Sequence, residues 1–319
     1  MHRITFKKYA GVKIQGKVPS EFPGMGHIDT AAWLTAQVES GGDYGTVISY
    51  DGTGMTAGLH QAIAVYPRAL AKPDDNALND QGPLWKLVDR CINSGHDFSA
   101  RSALLAELED AGLKIVNGVV RDLTTGNTVS GSRLRKLLSG SADGYMPKSG
   151  KDRKRAELWA TLFHEFFSNP YTFEIQSAWG KEKLIKRLER TKLRHSTAPY
   201  WRGRTPQEVF YGDVNAGMAT RSDLDENFDL AMCMWLSYTV NAPSVALRKL
   251  CKLIPVFNRE GQQVFAKSLI KALGNSKWGR WDDDIKNGRY QRTRKFAMEI
   301  WPSELFVGSE AIMPKNLVG

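Results

Sequence analysis

The stretch "WLTAQVESGGDYGTVISYDGTGMTAGLHQ", residues 33–61, decides the fold of the first part of the chain. Its opening residues predict the end of a helix that begins at the capping residue Asp29 or Thr30 and runs to Ser40, where two glycines stop it. The "TVISY" that follows is rich in β-branched and aromatic residues, and "DGTG" is typical of a tight turn. We therefore predict a helix that leads directly into a short β-hairpin.

Two carboxylates in this stretch have predicted environments that suit acid and base catalysis. Glu39 is expected at the helix carboxyl terminus, where the negative end of the helix dipole favours the protonated form that a general acid needs. Asp51 is expected in the turn, where backbone amides and water keep a carboxylate ionised. Such a pair is typical of glycosidases. Spacing alone favours purely local roles, because Glu at a helix end and Asp before Gly in a hairpin are common.

The residues after Asp51 favour the catalytic interpretation. "DG.G.TAG", residues 51–58, resembles the motif around the second carboxylate of chitosanases. "ES" at residues 39–40, together with "GL.Q" at residues 58–61, resembles goose-type lysozymes and lytic transglycosylases. The third position of the second motif is usually Met in those families and is His60 in this chain. The stretch is thus similar to the lysozyme superfamily, whereas the rest of the chain resembles that superfamily only in architecture.

The resemblance implies roles for individual residues. Glu39 matches the general acid, Asp51 matches the carboxylate that activates water, and Thr56 matches the threonine that helps to hold that water. A hydroxyl group both donates and accepts hydrogen bonds, so it can orient a water molecule. The gap between Glu39 and Asp51 is shorter than in chitosanases and closer to that of goose-type lysozymes, which leaves Asp43 in "GGDYG" as an alternative base.

Charge and aromatic content bear on the substrate. The formal net charge of +10 predicts attraction to an anionic partner, and it disfavours chitosan, which is a polycation. Bacterial peptidoglycan carries carboxylates and is the predicted partner. Aromatic rings stack on sugar faces, and polar side chains bind sugar hydroxyls. The candidate substrate-binding residues are Tyr44, Tyr50, His60, Gln61, Trp201 and Arg202, with Tyr211 as a further aromatic.

The predicted reaction is hydrolysis of the glycosidic bond between N-acetylmuramic acid and N-acetylglucosamine. If Asp51 and Thr56 hold the attacking water, the anomeric configuration inverts, and the two carboxyl groups should lie roughly 6.5 to 9.5 Å apart. Chitosanase-like cleavage and lytic transglycosylase activity, which needs only Glu39, remain alternatives. An inactive lysozyme-like module that binds wall material is a further alternative.

The predicted fold class is α+β and predominantly α-helical, with a lysozyme-like two-lobed fold and a small β-hairpin beside the cleft. We expect an amino-terminal arm over residues 1–28 and a lobe with the catalytic carboxylates over 29–145. That lobe contains a small α+β insertion at about 112–140. A helical second lobe is expected over 146–319, after the Gly-, Ser- and charge-rich segment "SADGYMPKSGKDRKR".

No cofactor and no metal site are predicted. The pair His27 and Asp29 has no further His or Cys at suitable spacing, and Asp29 is better explained as a helix cap. The pair His164 and Glu165 lacks the second His of a zinc-protease motif. The three cysteines show no CxxC spacing, so we expect buried free thiols.

The predicted localisation is synthesis in the cytoplasm and action at the cell wall. The first residues contain no apolar run long enough for a signal peptide. The uncharged run 230–247 is interpreted as a buried helix that stops near Asn241 and a second helix from Pro243, so no stable membrane insertion is expected. Release as a phage lysin or injection as an antibacterial effector would each bring the protein to the wall. The sequence does not indicate an immunity or holin partner.

A second hypothesis from another class is a basic nucleic-acid-binding protein. The clusters "KDRKR" and "RYQRTRK" have the charge to contact phosphates. As solvated helix faces they need no ligand, and this interpretation is favoured.

Overall fold

The computed structural model describes residues 27–48, 52–66, 80–144, 149–194, 196, 199–210, 226–240, 243–260 and 262–274. Most of these residues are helical, and short antiparallel strands form two small sheets, which confirms the predominantly helical α+β class. The helices are α1 His27–Ser40, α2 Leu84–Ile92, α3 Ser99–Asp110, α4 Gly131–Ser139, α5 Lys151–Phe167, α6 Phe173–Arg190, α7 Pro206–Phe210, α8 Glu226–Thr239, α9 Pro243–Glu260 and α10 Gln262–Gly274. The strands are β1 Val47–Ile48, β2 Thr56–Ala57, β3 Ala62–Ile63, β4 Leu113–Val116 and β5 Val119–Asp122.

The chain forms two compact units, and the division differs from the predicted boundary near residue 146. The first unit contains Glu39–Trp179, and the second contains the described residues of 27–38 and those from 180 onward. The physical reason is α5, whose buried aromatic face belongs to the core of the first unit. Of the predicted arm over residues 1–28, only the last two residues are described, and they begin α1.

The three-stranded sheet has the order β1-β2-β3 and follows α1 closely. Val47 pairs with Ala57, which pairs with Ala62, and all three belong to the hydrophobic core of the first unit. Side chains alternate across a sheet, so their neighbours Ile48, Thr56 and Ile63 lie on the opposite face. The predicted hairpin is therefore present, and a third strand extends it.

The region predicted as an α+β insertion is part of this core. Strands β4 and β5 form a hairpin whose turn residues Asn117 and Gly118 have φ of 52° and 71°, as an Asn-Gly turn requires. Ser130 caps α4 by accepting a hydrogen bond from the Arg133 amide, and Gly140 ends α4 in the left-handed conformation. The core residues from this region are Leu113, Val120, Val129, Leu134 and Leu138. The region thus helps to fold the first unit and is not a separate appendage.

Aromatic side chains from α2 and α5 fill the centre of the first unit. The fully buried members are Trp85, Trp159, Phe163, Phe166 and Phe167. Trp85 also donates from Nε1 to the carbonyl oxygen of Ala64 at 2.9 Å, which ties α2 to the chain just after β3. Truncating one such ring typically costs about 3–5 kcal/mol, so this cluster is the main support under the sheet.

The second unit contains the long uncharged run, which is divided as predicted. Helix α8 ends at Thr239 and α9 begins at Pro243. Trp235 in α8 donates from Nε1 to the carbonyl oxygen of Ala246 in α9 at 3.0 Å. Within the described residues, no helix combines the length and the apolar character that a membrane span needs.

The cysteine prediction is confirmed. Cys91, Cys233 and Cys251 are buried, and none of them forms a disulfide bond. Burial raises the pKa of the Cys91 thiol to about 12, so this thiol stays protonated at neutral pH.

Two glycine substitutions test how closely the β4–β5 turn packs on α2. A Cβ at Gly118 would lie 2.6 Å from Lys86 Cγ and 3.0 Å from Lys86 Cα, whereas a Cβ at Gly112, which has the same φ of 71°, meets nothing within 4 Å. Both Gly→Ala changes carry the left-handed penalty of about 1–2 kcal/mol. We expect Gly118→Ala to lower the free energy of unfolding by roughly 1–3 kcal/mol more than Gly112→Ala, as measured by urea denaturation. Equal losses would contradict this packing.

Candidate active site

Glu39 occupies the penultimate position of α1, as predicted. Gly41 and Gly42, with φ of 69° and 76°, end the helix after Ser40 in a conformation that favours glycine. The Glu39 side chain is partly buried, and its Oε1 atom is shielded from solvent. The carboxyl group therefore lies at the end of a helix, directly before the turn that leads into the sheet.

The turn after α1 is held by side-chain contacts. Asp43 is buried, and its Oδ1 accepts a hydrogen bond from the Gly45 amide at 2.9 Å. The Thr46 hydroxyl donates to the Ser40 carbonyl oxygen at 3.3 Å. One oxygen of the alternative base Asp43 therefore already stabilises the backbone of this turn.

Glycines in the "DG.G.TAG" segment have conformations and contacts that other residues do not tolerate. Gly52, Gly54 and Gly58 have φ between 77° and 84°. A Cβ at Gly54 would lie 3.1 Å from Arg135 Cα, in the first turns of α4. The predicted base Asp51 and the predicted sugar-binding Tyr50 lie outside the described residues, so the separation of the two carboxyl groups stays a prediction.

Thr56, the predicted water-holding residue, is in the central strand of the three-stranded sheet. It pairs with Ile48 on one side and with Ile63 on the other, on the face opposite the core. The side chain is nevertheless 5% exposed, and a nearly buried hydroxyl has restricted orientations.

Gln61 supports the loop that contains the motif. It has φ of 47°, which is unusual for a residue other than glycine. Its Nε2 donates to the carbonyl oxygens of Gly58, at 2.8 Å, and Thr46, at 3.2 Å. Its amide nitrogen is thus engaged with the backbone, which is a structural role besides the predicted contact with substrate. The neighbouring His60 is 5% exposed.

A buried glutamine that the sequence analysis did not identify fastens the same loop to α5 and α6. Gln176 is fully buried, and its Oε1 accepts a hydrogen bond from the Leu59 amide at 2.9 Å. Its Nε2 donates to the Phe167 carbonyl oxygen and to the Thr172 hydroxyl, both at 2.9 Å. A polar residue within the apolar pattern of α6 was the available signal, but it does not reveal a partner more than a hundred residues away.

His164, to which no catalytic role was assigned, contacts the turn after Glu39. Its Nδ1 lies 2.6 Å from the carbonyl oxygen of Gly45. A carbonyl oxygen only accepts hydrogen bonds, so Nδ1 carries the proton and donates it. Ser168, one helical turn further along the chain, lies against the same glycine. Helix α5 thus supports the backbone that follows the candidate acid.

The remaining predicted binding residues fall in both units. In the first unit, Tyr44 stacks on Phe173 with ring centroids 4.0 Å apart, and its hydroxyl lies 3.0 Å from Ser177 Oγ. In the second unit, Trp201 is 0% exposed. A buried ring offers no face to a sugar, so the interpretation of Trp201 as a stacking residue is wrong in this structure. Arg202 is exposed beside it.

The aromatic ring exposed beside Trp201 is that of Tyr200, which was not among the predicted binding residues. Tyr200 is 41% exposed, and the Arg204 guanidinium lies over its ring at 4.1 Å. Tyr211 lies outside the described residues.

Over the part of the chain that the structure describes, no group of three or more His, Cys, Asp or Glu is arranged to hold a metal ion.

Comparisons with known proteins leave the family of this chain open. No protein-family model, no curated protein and no solved structure matches it. The functional argument therefore depends on the site itself.

A double substitution tests the contact between α5 and the turn after Glu39. A Cβ at Gly45 would overlap Ser168 Oγ and would lie 2.9 Å from His164 Nδ1. We expect Gly45→Ala to lower the free energy of unfolding by roughly 1–3 kcal/mol. Ser168→Ala alone should change it by less than about 0.5 kcal/mol, because the buried Oγ makes no hydrogen bond among the described residues.

The double variant should recover about half of the loss, because the closest clash is removed. Thermal or urea denaturation of the four proteins completes the cycle. Additive losses would contradict the contact.

Proposed function

We propose that this chain is a lysozyme-type glycoside hydrolase that cleaves peptidoglycan between N-acetylmuramic acid and N-acetylglucosamine. The observation that carries the proposal is the position of Glu39 in the last turn of α1, directly before the three-stranded sheet whose central strand contains Thr56. A lysozyme-like fold with two lobes is part of the proposal.

Glu39 acts as the general acid. An acid that protonates a leaving oxygen must hold its proton at neutral pH until the substrate arrives. The position of Glu39 in the last turn of α1, directly before the three-stranded sheet, supports this role. Among the motif residues that the structure describes, Glu39 is the one with a carboxyl group.

Asp51 is the proposed base, and Asp43 is the alternative. Asp43 already accepts a hydrogen bond from the Gly45 amide through Oδ1, which favours a structural role for it. A base in an inverting enzyme takes a proton from water as the water attacks the anomeric carbon. The Thr56 hydroxyl, restricted by burial, would orient that water.

Peptidoglycan is the proposed substrate because of charge. A protein with a net charge of +10 is attracted to the stem-peptide carboxylates of the wall and is repelled by chitosan. A lytic transglycosylase would need Glu39 alone, since the muramic acid hydroxyl replaces water as the nucleophile. Delivery as a phage lysin or as an injected effector suits either reaction.

Three carboxyl-to-amide variants test the roles. Glu39→Gln should lower the rate of turbidity loss of purified peptidoglycan by about 10²-fold or more, because the amide has no proton to give. Asp51→Asn should do the same, whereas Asp43→Asn should keep most of the activity and lose stability. Glu109→Gln is the matched control, since Glu109 also occupies the penultimate position of a helix, α3, and is exposed.

Each pattern of activities has a distinct meaning. Full activity of Glu39→Gln would refute the site. If Asp43→Asn lost activity and Asp51→Asn retained it, Asp43 would be the base in place of Asp51. If both variants retained activity, a transglycosylase would be favoured. Salt-sensitive binding to DNA, with no release of sugar by the wild type, would favour the nucleic-acid hypothesis. Binding to wall material with no release would indicate an inactive module.

A further inference from the structure

A basic cleft lies in the second unit, and none of its described lining residues belongs to the candidate active site. Its volume is about 300 Å³, the lower end of the range for small-ligand sites. The lining residues are Lys183, Leu184, Lys186, Arg187 and Val240. Among the described residues, three cations and two aliphatic side chains thus line one small space, and the line of cations extends beyond it.

The cations of the cleft follow one face of α6. Residues three and four apart on a helix are neighbours, so Lys183, Lys186 and Arg187 form a stripe that Arg190 continues. Lys186, Arg187 and Arg190 are exposed. Lys181 lies on another face of α6 and forms an ion pair with Asp29.

Local helix stability explains only part of this stripe. Arg187 and Arg190 are in the last turn of α6, where cations are favoured by the helix dipole. Lys183 lies before that turn, so the dipole does not account for it. Glu182 and Glu189 are spaced to lie beside Lys186, at the edge of the stripe. The described α6 residues that line the cleft are three cations and Leu184.

The lining indicates which kind of anion fits. Proteins that bind single-stranded nucleic acids combine cations with aromatic side chains on which bases stack. No aromatic side chain of the described residues lines this cleft; the other described residues that line it are Leu184 and Val240. Such walls suit the methylene groups of an aliphatic chain, and the stripe suits anions repeated along that chain.

We propose that this cleft binds a phosphodiester polymer with an aliphatic polyol backbone. Phosphates of the polymer contact Lys183, Lys186, Arg187 and Arg190, while one backbone unit enters the cleft between Leu184 and Val240. The binding is electrostatic and weakens as the salt concentration rises. The site does not depend on the proposed hydrolase activity, and it would attach the protein to an anionic surface polymer.

The chain contains a matched control for this site. Lys151, Lys154 and Arg155 in α5 repeat the residue types and the spacing of Lys183, Lys186 and Arg187. All three are exposed, and they do not line the cleft. A triple change to Gln in either cluster removes the same charge. A difference in polymer binding between the two triple variants is therefore caused by the cleft and not by the net charge.

Calorimetry of the full chain with purified poly(glycerol phosphate) tests the proposal. We expect K183Q/K186Q/R187Q to weaken binding by about tenfold or more, and K151Q/K154Q/R155Q to weaken it by less than about twofold. Single-stranded DNA of equal phosphate number and phosphatidylglycerol vesicles should bind more weakly. Any binding to them should depend equally on both clusters.

Folding of each variant is checked by circular dichroism. If the cleft triple variant does not fold, Lys186→Gln is compared with Lys154→Gln, because both side chains are exposed. A loss confined to Lys186→Gln supports the site. Equal losses in the paired variants, no binding by the wild type, or tighter cleft-dependent binding of DNA or vesicles would each overturn the proposal.

Discussion

The segment after Glu39 depends on two buried polar side chains, Gln176 and His164, that satisfy its backbone. Gln176 accepts from the Leu59 amide and His164 donates to the Gly45 carbonyl oxygen. Buried loops are costly unless such groups find partners. Strands β1, β2 and β3 have two residues each, which is too short for independent stability. The sheet therefore exists because these contacts and the aromatic core beneath it hold the loops in place.

The same constraint explains why the motif contains particular residues. A Cβ at Gly58 would lie 2.9 Å from Gln176 Oε1, and Gln61 bonds the carbonyl oxygens on both sides of the loop. The structure of the loop thus explains the presence of Gly58 and Gln61 in the motif without any role in catalysis. Glu39 and Thr56 are the described members of the motif to which the proposal assigns chemistry. If only the glycines of the motif resembled those of lysozymes and chitosanases, the resemblance would indicate a similar loop conformation but would not indicate a catalytic activity.

The sequence analysis correctly predicted those helix ends and turns that are determined by adjacent residues. The glycines after Ser40, the Asn117–Gly118 turn and the start of α9 at Pro243 are such cases. Features that depend on distant parts of the chain were missed, because no local pattern contains them. The burial of Trp201, the partner of Gln176 and the packing of α5 in the core of the first unit result from contacts between segments far apart in sequence.

The central claim is that this chain adds water across a glycosidic bond of peptidoglycan. Mass spectrometry of the fragments released by the wild-type protein in water labelled with heavy oxygen tests this claim directly. The account predicts fragments that each contain one heavy oxygen at the new reducing end, because water is the nucleophile. Unlabelled anhydro fragments, or no fragments, would contradict it.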